Sequence, residues 1–438
     1  MGKGGLMVMF DYSSERSDDI LCIDVKSFFA SVECVDRGYH PLRALLVVMS
    51  NAENDGGIVL AASPKSKEIL GINNVTRKYD IPPHPDLIVV PPRMTRYIEK
   101  NNEINQIYRH FVSDEDLYIY SIDESFLSIR PSLALFKEKT AYDMARTIQK
   151  QVYQQTGLYV TIGIGDNMLL AKLALDIEAK HNRDFIAEWR YQDVPNKIWK
   201  INDLSDMWGI GSRTALKLNK MGIHTVYDLA HSDFYQLKEK MGIIGEQLFA
   251  NAWGIDRSNI RERYKPLEKS YGNSQILPKD YLYRHEIKLV IREMAEQVAA
   301  RIRRRHCQTG CVSLYVGYSK YEMAEGFSRQ LKIPPTSHSK KLVAYCLELF
   351  DNYYGGQAVR RIGISYSKLS YSSDIQLDLF EDPEKQIAEE QLDYLVDKIR
   401  EKYGFQSLVH ASSLLDGATA IHRSSLVGGH AGGMEGIQ

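Results

Sequence analysis

Residues 118–129, YIYSIDESFLSI, set Asp123 and Glu124 side by side between two runs of β-branched and aromatic residues. Runs of that composition favour short apolar strands, and the polar break between them is where a hairpin turns. The chain is thereby committed to a strand pair whose closed end carries two negative charges. Adjacent carboxylates repel unless solvent, a basic side chain or a divalent cation lies between them. An Asp-Glu dipeptide alone is most often a solvated turn, so the rest of the chain has to decide.

Residues 20–25, ILCIDV, read as a buried strand ending near Asp24, and 44–50 and 57–63 as two more, joined by the turn-rich NAENDG. Helical patterning covers about 96–111 and again 141–157, where Gly157 suits a C-terminal cap. A strand, LYVTIGIG (158–165), and a helix, MLLAKLALDIEAKH (168–181), follow. This mixed order predicts an α+β layer with helices on one face of a sheet. From about Pro195 the texture changes to short helices with glycine-centred turns over 204–230, loosely echoed at 240–255. A third region has a basic helix around AARIRRRH (299–306) and strands at 311–319 and 359–367. After Ser373 the chain turns acidic and polar and ends in a Ser, Gly and His-rich tail, expected to be flexible.

With 438 residues, 44% apolar and 25% charged, the composition is that of a soluble protein of several domains. A net charge of -1 does not announce a nucleic-acid binder, but it averages over domains and can hide a basic face beside an acidic site. The five cysteines are scattered; Cys307 and Cys311 have no second pair to complete a zinc site, although His306 is adjacent, so the thiols read as reduced and structural. The run LMVMF is too short for a signal-peptide core, and Leu6 stands where a myristoylation motif needs Ser or Thr. No stretch reaches membrane-spanning length, which points to a cytosolic protein.

Asp24 is distant in sequence from Asp123 and Glu124, yet a folded sheet can bring all three to one edge. Three carboxylates there can hold two Mg²⁺ ions, which activate a hydroxyl on one side and neutralise a leaving pyrophosphate on the other. Directly after Asp24, Phe28 and Phe29 stand where the chain turns into a helix whose N–H groups can meet a triphosphate. A rigid aromatic under the sugar would clash with a ribose 2′-OH. Phe29 is the candidate for that gate, with core packing the alternative for both rings.

Asp24 with its SFFASVE continuation, YSIDES, TIGIGDNMLLAKLA and GIGSRTALKL occur in the order found in Y-family (translesion) DNA polymerases. Over about residues 18–370 the chain resembles the branch of UmuC and the UvrX-like proteins of Gram-positive bacteria. The resemblance implies an α+β multidomain right hand: a palm of mixed sheet and helices at 18–27 and 94–188, small fingers at 28–93, a helix-hairpin-helix thumb at 189–262, an α+β little finger at 270–370, and a clamp-binding motif with a flexible tail at 371–438. It implies Asp24, Asp123 and Glu124 as the catalytic carboxylates for two Mg²⁺ ions, the Val25 carbonyl as an extra ligand, Phe29 with Phe28 at the nucleotide, and Lys67 and Lys180 on the triphosphate. A solvated surface charge is the alternative for each lysine. Ser63-Pro64 replaces an aromatic frequent in the family, Lys67 stands where some members have Arg, and both lysine segments carry one residue more than common members.

GIGSRTALKL has the pattern of a helix-hairpin-helix: Gly209 and Gly211 permit a tight turn whose N–H groups, with Ser212 beside them at a helix N-terminus, can face a DNA phosphate. Arg213 and Lys217 add charge without reading bases; an ordinary helix turn is the alternative. Arg301, Arg303, Arg304 and Arg305 are dense enough for phosphates to relieve their repulsion, against a solvated basic face. Gln376, Leu377, Leu379 and Phe380 lie in polar surroundings and resemble the motif that binds the bacterial sliding clamp (β subunit); an amphipathic helix follows over 391–404.

The expectation is a monomeric, cytoplasmic, nucleoid-associated translesion polymerase of low fidelity that adds dNTPs to the 3′-OH of primer-template DNA and binds no membrane; the resemblance alone implies induction by DNA damage as part of the SOS response. No acidic motif is left for a proofreading exonuclease, and the short fingers leave little protein to close on the nascent pair, so discrimination by closure is weak. A palm-like nucleotidyl cyclase and a non-catalytic DNA- or clamp-bound accessory protein are the alternatives. The helix-hairpin-helix and the clamp motif speak against the cyclase, and metal-dependent incorporation separates the accessory protein.

Overall fold

Strand β1 (Ile20–Val25) has five of its six residues buried, Asp24 being the exception. Successive side chains of a strand point to opposite faces, so a strand apolar on both must be covered on both. In the computed structural model, which describes residues 11–50, 57–262, 266, 268–371, 382–427 and 429–431, Ile20 and Cys22 enter one core and Leu21, Ile23 and Val25 another. The first core holds the helix Met168–Leu173 and the short helices after residue 198; the second holds the helices Phe28–Asp36, Met94–Arg109 and Ala141–Thr156. The sheet is therefore covered on both faces, not on one as its mixed element order suggests.

The chain divides into two compact units, Met1–Arg263 and Tyr264–Gln438. In the first, β1 is followed by β2 (Leu46–Ser50), β3 (Ile58–Ala62) and β4 (Ile88–Val90), which form a small sheet of order β3-β2-β4 beside the helix Pro64–Leu70. The NAENDG turn lies outside the described residues. The chain then supplies β5 (Leu117–Ile119), β6 (Glu124–Ser128), β7 (Val160–Gly165) and β8 (Ile186–Trp189), giving a main sheet of order β5-β6-β1-β7-β8. Gly163 and Gly165 let the helix Met168–Leu173 lie directly on β7, since a Cβ at either would overlap the Ala171 backbone. The helix expected over 168–181 is α-helical only to Leu173; Ala174–Ala179 forms a π-helical turn. One extra residue inside a helix is what such a turn absorbs. Four short helices between Ser212 and Ala252 gather around Trp199, Leu218, Leu229, Leu237 and Trp253.

The second unit has an antiparallel sheet of β9 (Tyr271–Tyr281), β10 (Gln308–Tyr318), β11 (Phe327–Thr336) and β12 (Val359–Ser370), in the order β11-β10-β12-β9. The helices Arg284–Arg304 and Ser339–Tyr353 share its core. The segment after residue 381, expected to be a flexible tail, is folded in its described part. The helix Pro383–Tyr403 pairs Asp393 and Asp397 with Arg303, while buried Glu293 accepts the backbone N–H groups of Thr419 and Ala420 at 2.9 and 3.0 Å. Polarity that reads as disorder in sequence is here complementary to buried charges of the helix Arg284–Arg304. The five cysteines are free and buried. Among the described residues no helix is long and apolar enough to cross a membrane.

Candidate active site

Because β1 and β6 run antiparallel with Asp24 opposite Glu124, these two carboxylates issue from the same face at the same sheet edge. The Val25 N–H donates to the Asp123 carbonyl at 3.0 Å, which fixes the turn against the end of β1. Ser121 shapes that turn: its hydroxyl donates to Asp123 Oδ1 at 2.9 Å and accepts the Glu124 N–H at 3.1 Å. Asn101 donates to the Ile122 carbonyl at 2.6 Å and ties the turn to the helix Met94–Arg109.

Two lysines stand among the acids. Lys180 Nζ lies 2.7 Å from Asp24 Oδ2 and 2.8 Å from Asp176 Oδ1, and Lys172 pairs with Glu124 and, at 3.0 Å, with Asp176 Oδ2. Among the described residues no three Asp, Glu, His or Cys side chains gather closely enough to form a metal site. The expected convergence of three carboxylates is thus realised as one sheet edge and not as one cage, since Asp24 and Glu124 each turn to their own ammonium, as buried anions require a counter-charge.

Burial pushes the Asp24 carboxyl above the usual range; Lys180 draws it down and Asp123 pushes it further up. Asp123 is likewise raised, by burial first and by the charge of Glu124, against its bond from Ser121. Burial opposes the charge on Lys180, but Asp24 and Asp176 outweigh it and hold its pKa above that of a free lysine. Repulsion between buried carboxylates is relieved by a bound cation, and an all-oxygen donor set suits a hard ion such as Mg²⁺. The residues at this edge fit such an ion chemically.

The edge opens into a cleft of about 1030 Å³ whose lining includes Asp24, Asp123, Phe29, Lys67, Lys180 and His181. Ser27, at a left-handed φ of 49°, turns the chain from β1 into the helix Phe28–Asp36, and no side chain caps that helix's first N–H groups. Phe28 is buried in the core. Half-buried Phe29 stacks on Tyr97, ring centroids 4.3 Å apart and planes within 14°. Tyr97 donates to buried Glu33 at 2.7 Å, and Arg93 completes the carboxylate with two bonds of 2.9 Å. The SFFASVE run thus supplies a backbone turn, a core anchor, a ring facing the cleft and the acid that holds the ring's support. Burial lowers the Lys67 pKa, with Asp24 opposing and Lys180 adding to the effect.

Gly209 adopts φ +92°, open to glycine, and Gly211 precedes the helix Ser212–Asn219. Gly211, Ser212 and Arg213 are exposed; Lys217 is exposed too but donates to the Lys240 carbonyl at 2.9 Å. Arg304 and Arg305 are exposed, and Arg301 donates to the Gly272 carbonyl at 3.0 Å. Arg303 does not belong with them. It is 5% exposed, its guanidinium held by Asp397 at 2.7 and 3.1 Å, the Ser337 carbonyl and Ser339 hydroxyl at 2.8 Å, and Asp393 at 3.3 Å. On a helix only part of a dense basic run can face outward, and the inward member needs carboxylates. The clamp-like residues Gln376, Leu377, Leu379 and Phe380 lie outside the described residues.

Sequence reasoning missed Lys172, Asp176, Tyr97 and Glu33. The four-residue spacing of Lys172, Asp176 and Lys180 was a usable signal for a shared helix face; nothing in sequence marks Tyr97 as the partner of Phe29.

The chain matches the impB/mucB/samB family over residues 23–176, the IMS family HHH motif over 191–223 and the impB/mucB/samB family C-terminal domain over 268–379. It is similar to the putative UV-damage repair protein UvrX of Bacillus subtilis (strain 168), 42% identical over 424 residues, 96% of this chain and 100% of that one. DNA polymerase IV 2 of the same organism is 34% identical, covering 94% and 98%. The solved structure of the Y-family DNA polymerase chimera Dbh-Dpo4(243-245)-Dbh superposes with a TM-score of 0.64 at 20% identity, covering 81% of this chain and 100% of that one. Sheet, cleft and these matches define a multidomain α+β protein of palm, fingers, thumb and little finger, and the chain belongs to the Y family of DNA polymerases. Within that family it falls in the Bacillus UvrX branch.

Proposed function

We propose that the protein is a template-directed translesion DNA polymerase acting in DNA damage tolerance, with Asp24, Asp123 and Glu124 as its catalytic carboxylates. The observation that carries this is the placement of Asp24 opposite Glu124 across β1 and β6, with Asp123 bonded beside them at the end of β1. These carboxylates and the Val25 carbonyl would hold two Mg²⁺ ions. When bound, the ions lower the pKa of the primer 3′-OH and neutralise the leaving pyrophosphate.

The chain's own residues do the rest. Lys67 and Lys180, both lining the cleft, bind the dNTP triphosphate as point charges, and the uncapped N–H groups opening the helix Phe28–Asp36 add donors to it. Phe29, braced by Tyr97, occupies the space a ribose 2′-OH would need. The palm comprises 18–27 and 94–188, the fingers 28–93, the thumb 189–262 and the little finger 270–370. The turn at Gly209 and Gly211 with Ser212, Arg213 and Lys217, and exposed Arg301, Arg304 and Arg305, contact phosphates of the primer-template duplex and position it without reading sequence. Gln376, Leu377, Leu379 and Phe380 bind the sliding clamp. The protein works as a monomer in the cytoplasm, at the nucleoid, under damage-induced expression.

Primer extension with Mg²⁺ and dNTPs on undamaged and abasic templates, with and without a sliding clamp, tests the reading. Extension past the abasic site is expected. DNA binding without incorporation, clamp present, would leave an accessory DNA-binding protein in its place.

A further inference from the structure

Five side chains alternate in sign along one line of contacts: Glu124, Lys172, Asp176, Lys180 and Asp24. Its ends are the carboxylates assigned above to cation binding. Its midpoint, Asp176, touches both ammonium groups, Lys172 Nζ at 3.0 Å and Lys180 Nζ at 2.8 Å. A divalent cation entering at Asp24 and Glu124 meets two positive charges already on its ligands, and like charges at contact distance repel strongly. The ammoniums must withdraw: Lys172, with 9% of its side chain exposed, needs an anion to withdraw to, and Lys180, with 33% exposed, keeps a counter-charge if one stays in contact. Asp176 is already in contact with each.

The backbone favours this arrangement. In an uninterrupted α-helix, two successive four-residue steps rotate a side chain by about 80° away from its starting direction. The wider π-helical turn over Ala174–Ala179 reduces that drift, so that Lys172 and Lys180 reach the two carboxylates of one strand pair while sharing Asp176.

We propose that Asp176 is a positioning residue that takes over Lys172 and Lys180 as cations displace them from Glu124 and Asp24, leaving Lys180 beside the triphosphate site. The inference rests on the two-cation reading above, and its test reads binding, not turnover. Mn²⁺ is titrated into the full chain, without DNA or nucleotide, and free Mn²⁺ is followed by electron paramagnetic resonance. Asp176→Asn is expected to raise the Kd for Mn²⁺ on the order of tenfold, and Asp176→Glu to recover most of the loss.

A double-mutant cycle separates hand-over from a simple charge effect. With Lys172→Gln and Lys180→Gln together, treated as one partner of the cycle, the competitors at Glu124 and Asp24 are both gone, so adding Asp176→Asn should then change the Kd by no more than about twofold. The same tenfold loss in that background, or an unchanged Kd in Asp176→Asn alone, overturns the proposal. If the Asn variant does not fold, Asp176→Ala takes its place in the cycle. Mn²⁺ binding by the wild type that Asp24→Ala does not weaken overturns the two-cation reading itself, and this inference with it. An intact wild-type site with Asp176 idle overturns only the inference.

Discussion

Lys180 in the first unit and Arg303 in the second each meet two carboxylates from other turns of the chain. Lys180 brings one ammonium to Asp24 and Asp176, and a third of its side chain remains exposed beside the cleft. Arg303 uses its guanidinium on Asp393, Asp397, the Ser337 carbonyl and the Ser339 hydroxyl, with 4% of its side chain exposed. A phosphate or cation can compete for the first pair, because solvent already reaches it. The second is sealed, and opening it would leave a buried charge without a partner. Burial and the number of bonds, not the kind of charge, separate a cation available to ligands from one that fastens two helices.

The contrast can be broken most directly at its buried end. Arg303→Ala should destabilise the second unit by about 3–5 kcal/mol, read by urea unfolding. Unchanged stability with a loss of DNA affinity would put Arg303 on the basic face with Arg301, Arg304 and Arg305. Lys180→Gln should do the reverse, raising the dNTP KM by about tenfold to a hundredfold, as expected for a lost charge-assisted contact, with little change in melting temperature. Melting that falls as in Arg303→Ala would make the two sites alike. Phe29→Ala sharpens the account of the same cleft: ribonucleotide insertion relative to dNTP should rise about tenfold or more, and an unchanged ratio would remove it as the gate.

A smaller effect should appear in acid. Burial alone would raise the Asp19 carboxyl, but hydrogen bonds and charge from Arg130 and Arg190 hold it below its ordinary 3.8. A carboxyl depressed in the fold gives stability that is present above its unfolded pKa and lost as pH falls through its folded one. Melting of the first unit should therefore fall below about pH 4, and Asp19→Asn should flatten that part of the profile. An unaltered profile in the variant would show that another group controls it.

Much of the active-site edge was legible because continuous apolar runs end at Asp24 and start after Glu124, which puts both acids at strand ends. The helices at 94–109 and 141–156 also fall where periodicity puts them. The continuous apolar run of β1 carried the signal for burial on both faces, which the element order obscured. Lys172 and Asp176 were not legible as a unit, since Lys172 reaches across to Glu124 on another strand and a π-helical turn alters the helical spacing. Arg303 was misread because its acidic partners lie 90 and 94 residues further on. The same partners explain why an acidic C-terminal stretch is folded: its charges have an address on the helix Arg284–Arg304.

Nucleotidyl transfer takes place, on this reading, at the carboxylates at the end of β1 and the start of β6. Single-turnover dNTP incorporation by the wild type and by an Asp123→Ala, Glu124→Ala double variant, with primer-template affinity measured alongside, tests it most directly. Incorporation is expected to vanish in the variant while DNA affinity is retained. Incorporation at the wild-type rate would place the chemistry elsewhere in the molecule.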